Sequence, residues 1–336
     1  MAKVELRRKR VLEPSFERTS EQLATVERPA ASKTLISGSA GTGKTEALIS
    51  RALYLLKNGL PPNRLLILTF SRDRADYLRD EIAIRAETLT YEPLARSFSS
   101  LAFSIVRMSL DEDLREPILL SGADQDQLIR ELLESDAQSN KSGWPDLYHQ
   151  ALATRGFARE LRDLISRAKE WGLFPEDLLK LGKNYGEELW VAASAFWERY
   201  EKVSVMRESG VGDPKERIDP SELINRASRI LESSSDLHRK LSSTFDHLLI
   251  DECEESDPSH RRLLSAIAPE SFSIFYDIKS CASRFRGADP EGLESFLQSL
   301  GADHFTLTVP FRKPTTVLVS EHTSIAEQAR KIATDL

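Results

Sequence analysis

Gly38, Gly43, Lys44 and Thr45 stand at the fixed positions of the pattern G-x-x-x-x-G-K-[ST], filled here as Gly38-Ser39-Ala40-Gly41-Thr42-Gly43-Lys44-Thr45. Glycines let the backbone curl until successive N–H groups face one phosphate. A helix starting near Lys44 aims the positive end of its dipole at the same point. Lys44 would neutralise β- and γ-phosphates, and the Thr45 hydroxyl would hold Mg²⁺. The chemistry is capture of a nucleoside triphosphate. It calls for an acid to share the metal and a base to activate water. Asp251-Glu252, directly after the apolar run His247-Leu-Leu-Ile250, supplies both. Asp251 would hold the metal, and Glu252 would orient and deprotonate the attacking water.

These residues must be positioned by alternating strands and helices. Thr34-Leu-Ile-Ser37 reads as a short buried strand before the loop. Thr45 to Lys57 reads as a helix with Gly59 as its C-terminal stop. Leu65-Leu-Ile-Leu-Thr-Phe70 has the continuous apolarity of a strand buried on both faces of a parallel sheet. Ser71 and Asp73 offer N-caps to a helix from about Arg74 to Arg85. A helix is also expected around Ser20–Val26. Between about 110 and 215 the strand signal disappears. There Phe157, Leu161, Leu164, Ala168 and Trp171 recur at helical spacing, which predicts one core-facing stripe. Alternation resumes at 244, with a helix near Pro258–Ala268 and a strand at Ser271–Tyr276. The expected fold class is α/β: a phosphate-loop NTPase (RecA-like) parallel sheet with an inserted all-helical subdomain.

Composition bounds the partners. The 336 residues are 40% hydrophobic and 29% charged, enough for packed cores, so disorder is not the default. The net charge of −7 excludes bulk polyanion coating, so nucleic acid would need a local basic patch. Arg7-Arg8-Lys9-Arg10 reads as a solvated arm. Two distant cysteines, Cys253 and Cys281, argue against a disulfide framework or a zinc site and fit a reducing cytoplasm. No apolar run reaches transmembrane length, and no membrane partner is expected.

The set of segments resembles superfamily 1 DNA helicases of the UvrD/Rep type. Gln22, within Thr19-Ser-Glu-Gln22, sits where that family has its adenine-reading glutamine. Thr69-Phe70-Ser71-Arg72 followed by Ala75 looks like its DNA-contacting segment after the second strand. Ser97-Phe98-Ser99-Ser100-Leu101 looks like its Thr-Phe-His-Ser segment. Asp219-Pro-Ser-Glu222-Leu223-Ile224 is similar to the helix start before the acidic strand. Phe285-Arg286-Gly287-Ala288 matches the end of the third motif, and Phe311-Arg312 matches the Tyr-Arg pair of the fourth. The stretch Gly156 to Leu164, continuing to Gly172-Leu173, is similar to actinobacterial Adn-type helicase-nuclease subunits.

The resemblance implies an ATP-hydrolysing motor with ATP and Mg²⁺ as cofactors. It implies single-stranded and duplex DNA as substrate, 3′-to-5′ unwinding in DNA repair or recombination, and a nucleoid-associated bacterial setting. It implies that Arg312 reaches the γ-phosphate, that Phe311 stacks on adenine, and that Phe70, Ser71, Arg72, Ser97, Phe98, Phe285 and Arg286 meet DNA. A second helicase-nuclease subunit is an implied partner. The implied domains are 1–108 with 216–292 (first RecA-like domain), 109–215 (helical insertion) and 293–336 (start of a second RecA-like domain).

The sequence departs from the family where nucleotide state is sensed. Ser280 replaces the γ-phosphate-sensing glutamine, Ser283 a tyrosine, Tyr276 a glycine, and Glu254 the glutamine of the acidic motif. Glu46 follows Thr45 where arginine is frequent. Glu254 adds a like charge near a polyanion. The fifth and sixth motifs have no room before Leu336. The alternative expectation is therefore a degenerate or truncated ATP- and DNA-binding subunit without unwinding activity of its own. A ring-forming phosphate-loop ATPase fits less well, because it would not need the Phe-Arg-Gly-Ala and Phe-Arg segments.

Overall fold

The structure is a computed structural model that describes residues 18–86, 95–110, 117–139, 143–210, 217–267 and 269–311, with side chains undescribed at 208–210 and 217. Arg312 and Arg7–Arg10 lie outside the described residues.

Six strands form one parallel sheet in the order β3-β2-β6-β7-β1-β8, where β1 is Lys33–Gly38, β2 Leu65–Thr69, β3 Ala95–Ser97, β6 His247–Ile250, β7 Phe272–Tyr276 and β8 Asp303–Leu307. All five residues of β2 and all four of β6 are buried. The reason is that helices cover both faces. Leu65 and Ile67 point to one face, against α2 (Lys44–Lys57) and α3 (Arg72–Ala86). Leu66 and Leu68 point to the other, against α4 (Phe98–Ser109), α9 (Leu223–Ser233), α11 (Pro258–Ile267) and α12 (Pro290–Ser299). The period of two in the strand thus divides one apolar run between two cores.

The helical insertion has a core of its own. The described helices α5 (Gly122–Gln138), α6 (Arg155–Glu170), α7 (Pro175–Tyr185) and α8 (Glu188–Gly210) pack around Leu133, Ala193, Phe196 and Trp197. A short parallel ribbon, β4 (Ile118–Leu119) with β5 (Arg217–Ile218), pairs the segments that bound it. Lys169 ties it to the sheet domain. Its ammonium is buried among Asp219 at 3.0 Å, Glu222 at 2.6 Å and Glu201 at 3.4 Å. These carboxylates outweigh the cost of burial and hold Lys169 protonated well above the usual lysine range. Asn225 adds a hydrogen bond to the Lys169 carbonyl at 2.6 Å.

Two expectations change. The core stripe on α6 includes buried Leu161 and Ala168, with Phe157 and Leu164 packed beside them, but Trp171 is 48% exposed. Trp171 sits past the last helical turn as the C-cap, where the helical period no longer sets its direction. Residue 293 does not open a second domain. Leu293 and Leu297 of α12 lie in the sheet core, and β8 extends the sheet by pairing with β1 from Thr34↔Asp303 to Gly38↔Leu307.

Removing the Lys169 charge leaves Asp219 buried without its partner. Lys169→Met is expected to lower stability by about 3–5 kcal/mol, and Lys169→Met with Asp219→Asn to recover part of it. Urea unfolding measures both. Unchanged stability in the single variant would show that the ion cluster does not seat the insertion.

Candidate functional site

The phosphate loop leaves the C-terminal end of β1, and its glycines are fixed by their surroundings. Gly41 and Gly43 have φ of 87° and 81°, which favours glycine in both positions. A Cβ on Gly43 would stand 2.6 Å from Gln22 Nε2 and 3.3 Å from the Phe311 ring. Gln22 and Phe311 therefore converge on the loop from opposite ends of the described chain. Gln22 is held by a capping box with Thr19 on α1 (Ser20–Val26). The Phe311 amide donates to the Gly41 carbonyl at 2.9 Å. Glu21 accepts from the Thr308 amide at 2.7 Å and its hydroxyl at 2.6 Å, joining α1 to the chain just before Phe311.

Sequence patterning gave no reason to single out Arg51, yet it braces this corner. Its buried guanidinium donates to the carbonyls of Val26, Arg28 and Pro29 at the end of α1, and burial pulls its pKa down to about 10. Glu46 pairs with Arg85 at 2.6 Å and so fastens α2 to α3.

Lys44 lies across the mouth of the loop, donating to the Gly38 carbonyl at 2.6 Å and standing 3.8 Å from Asp277. Strand register brings the acids alongside. Leu68 pairs with Ile250, so Asp251 follows at the same edge, and its amide donates to the Leu68 carbonyl at 3.1 Å. The Thr45 hydroxyl donates to Asp251 Oδ2 at 3.3 Å. These hard oxygens suit Mg²⁺, which takes one or two carboxylates and completes its shell with water and phosphate oxygens. A cation already bridges them: Arg74 Nε donates to Asp251 Oδ2 at 3.1 Å, and its Nη2 donates to the Thr45 hydroxyl. Arg74 is a residue that spacing did not reveal. Only the β2–β6 pairing shows that the first turn of α3 faces Asp251.

Asp251 is 1% exposed, and burial raises its pKa against the pull of Arg74. Glu252 is raised by burial and by the neighbouring Asp251 charge. Its φ of 58° makes it the only non-glycine among the described residues in the left-handed region. That conformation turns its half-exposed carboxylate out of the strand direction.

The positions at which the sequence departs from the UvrD/Rep pattern hold contacts of their own. The Ser280 hydroxyl donates to Asp277 Oδ2 at 2.5 Å, so it is engaged beside the loop. Glu254 accepts the Asp277 amide at 3.0 Å, and burial pushes its carboxyl up to about 7. Near neutrality that carboxyl is partly protonated, which softens the like-charge conflict expected from the sequence. Glu255 clamps the next segment by accepting the amides of Ala282 and Ser283, both at 2.8 Å.

The residues assigned to nucleic acid separate into two groups. Ser71 and Arg72 are exposed at the start of α3, and Phe70 is half-buried. Phe285 is 64% exposed, with the Arg286 guanidinium 5.2 Å from its ring centroid. Phe98 is only 1% exposed: its ring packs against Phe70 at 4.8 Å and edge-on to His260 at 5.0 Å. Ser97 is buried, and its hydroxyl caps α4 by accepting the Ser100 amide. Phe98 and Ser97, expected to meet DNA, are thus buried side chains here, and the Phe98 ring supports Phe70 from behind. Trp171, expected in the core, instead donates its indole N–H to the Gly287 carbonyl at 3.2 Å, bringing the insertion against the Phe285–Arg286 turn.

The family model described as "UvrD/REP helicase N-terminal domain" matches residues 18–301. The chain belongs to this family. Its relatives include "DNA helicase II" of Haemophilus influenzae, 22% identical over 90% of this chain and 39% of the relative. "DNA helicase IV" of Escherichia coli is 25% identical over 80% of this chain and 41% of the relative. "ATP-dependent DNA helicase PcrA" of Staphylococcus epidermidis is 23% identical over 82% of this chain and 35% of the relative. The chain thus spans about two fifths of the length of these helicases. No helix among the described residues is long and apolar enough to cross a membrane.

Two outcomes follow from this UvrD-type site. A raised carboxyl is neutral below its folded pKa and charged above it. Nucleotide binding by the wild type should therefore weaken, relative to Glu254→Gln, as pH rises from about 6 to about 8. Titration of a fluorescent ATP analogue into both proteins measures it, and parallel pH profiles would contradict it. Left-handed backbone costs a residue with a Cβ about 1–2 kcal/mol, least for asparagine. Glu252→Asn is expected to keep or raise the urea midpoint. A loss beyond about 1 kcal/mol would mean that the Glu252 contact with Arg74 outweighs the backbone cost.

Proposed function

We propose that the chain is the ATP-binding motor region of a DNA helicase, which hydrolyses ATP to move along single-stranded DNA and unwind duplex. The convergence of Thr45 with Asp251, beside a loop flanked by Gln22 and Phe311, carries this reading. Gln22 reads the adenine edge, and the Phe311 ring supports its face. The loop amides and Lys44 bind the β- and γ-phosphates. Thr45 and Asp251 would hold Mg²⁺, which when bound supplies positive charge to the phosphates. Glu252 orients the attacking water and takes its proton. Arg312 is assigned to the γ-phosphate by resemblance. Phe70, Phe285 and Arg286 receive unstacked bases and a phosphate, as aromatic platforms with cations do.

The names of the relatives support DNA as substrate and ATP as fuel. The 3′-to-5′ direction, a role in DNA repair and a nucleoid-associated, cytoplasmic setting rest on the UvrD/Rep resemblance. A second helicase-nuclease subunit as partner rests on the α6 segment. A second reading is an ATP- and DNA-binding subunit that does not unwind by itself. Ser280 favours it, because its short hydroxyl is spent on Asp277.

The test separates the two ligands. Lys44→Ala should abolish binding of a fluorescent ATP analogue and leave single-stranded DNA binding intact. Phe285→Ala should weaken single-stranded DNA binding by about 1–3 kcal/mol, in a fluorescence-anisotropy titration, and spare the nucleotide. Equal nucleotide binding by wild type and Lys44→Ala would overturn the reading.

A further inference from the structure

Arg74 reaches the metal-binding corner from an element that carries no other part of it. It sits in the first turn of α3, where the Ser71 hydroxyl accepts its amide at 3.1 Å. The side chain turns inward across the end of the sheet. Nε lies 3.1 Å from Asp251 Oδ2 and 3.5 Å from Glu252 Oε1. Nη2 lies 2.9 Å from Asp251 Oδ2 and also donates to the Thr45 hydroxyl. One guanidinium therefore engages the Thr45–Asp251 oxygen pair and the proposed base together. Its carbon lies 5.3 Å from the centroid of the half-exposed Tyr77 ring, one turn along the same helix. The Arg74 side chain is a quarter exposed, so it is not sealed into the corner it occupies.

The geometry points to Arg74 as a built-in competitor of the divalent cation: it holds the same two oxygens that Mg²⁺ takes, and loading of metal requires its guanidinium to leave them. Three physical facts support this. The Thr45 oxygen accepts from Arg74 and donates to Asp251, so one of its two lone pairs is already taken by the guanidinium. Asp251 is almost wholly buried, and one carboxylate cannot serve a bidentate cation contact and a close metal bond from the same oxygen. Two cations on one oxygen repel strongly where solvent is excluded. Arginine suits the task because it stays charged when partly buried and stacks on an aromatic ring once released. The consequence is a site whose affinity for Mg²⁺ is set lower than its oxygens alone would give. This inference rests on the reading of Thr45 and Asp251 as the metal pair.

Binding of a fluorescent ADP analogue, titrated with Mg²⁺ from an EDTA-treated start, tests it in wild type, Arg74→Ala and Arg74→Gln. Direct Mn²⁺ binding by electron paramagnetic resonance, without nucleotide, is a second readout. Both variants are expected to show a half-saturating metal concentration about tenfold lower than wild type, within the usual range for coupled sites. Arg74→Gln keeps the length of the side chain, so agreement of the two variants separates charge from packing. Equal metal midpoints in wild type and variants, with metal-dependent tightening present in all, would overturn the competitor role alone. Absence of any metal effect in all three proteins would overturn the metal pair and the competitor role together.

Discussion

Thr45 and Asp251 are 206 positions apart in sequence and 3.3 Å apart in space, and the rest of the molecule exists to keep them so. The constraint is parallel strand register. β1 delivers the phosphate loop, β6 delivers the acid, and β7 lies between them, fixing both to one edge through Ser37↔Tyr276 and Ile250↔Ile274. A shift of one residue in either pairing would turn each strand's core side chains to the wrong face. Because both faces are buried, that error is strongly disfavoured. The two apolar cores are thus what hold a polar site in place.

Holding the site has local costs that the cores offset. Asp251 is buried with its charge opposed by Arg74, Glu252 is held in left-handed backbone, and Glu254 is pushed toward neutrality. Each is unfavourable alone. Together they create an edge where several carboxylates face one phosphate loop, a surface that only cations make tolerable. Among the described residues, Lys44 and Arg74 bring cations to that edge. The same logic appears at a distance, where Lys169 gathers three carboxylates to seat the helical insertion.

What the sequence made legible was local. The strand, loop and helix around Gly38–Thr45 and the short acidic strand have strong periodic and motif signals, and β6 keeps the expected bounds. Features that depend on pairing were not legible. Phe98 has the same type and context as an exposed base-stacking ring, and only its contacts with Phe70 and His260 show that it is core. Trp171 continues a helical spacing beyond the end of its helix, so the pattern misdirected it. No sequence signal marked Asp303–Leu307 as a strand, and its addition beside β1 is a long-range choice. Arg74 looks like one more charge on a charged helix until β2 is laid beside β6.

The most direct test of the central claim is a crystal structure of this chain with Mg²⁺ and a non-hydrolysable ATP analogue. The account predicts phosphates against the amides of Gly41–Thr45, Mg²⁺ between the Thr45 hydroxyl and Asp251, adenine between Gln22 and Phe311, and the Arg74 guanidinium withdrawn from Asp251. Nucleotide bound at another surface, or metal held by residues other than Thr45 and Asp251, would contradict it.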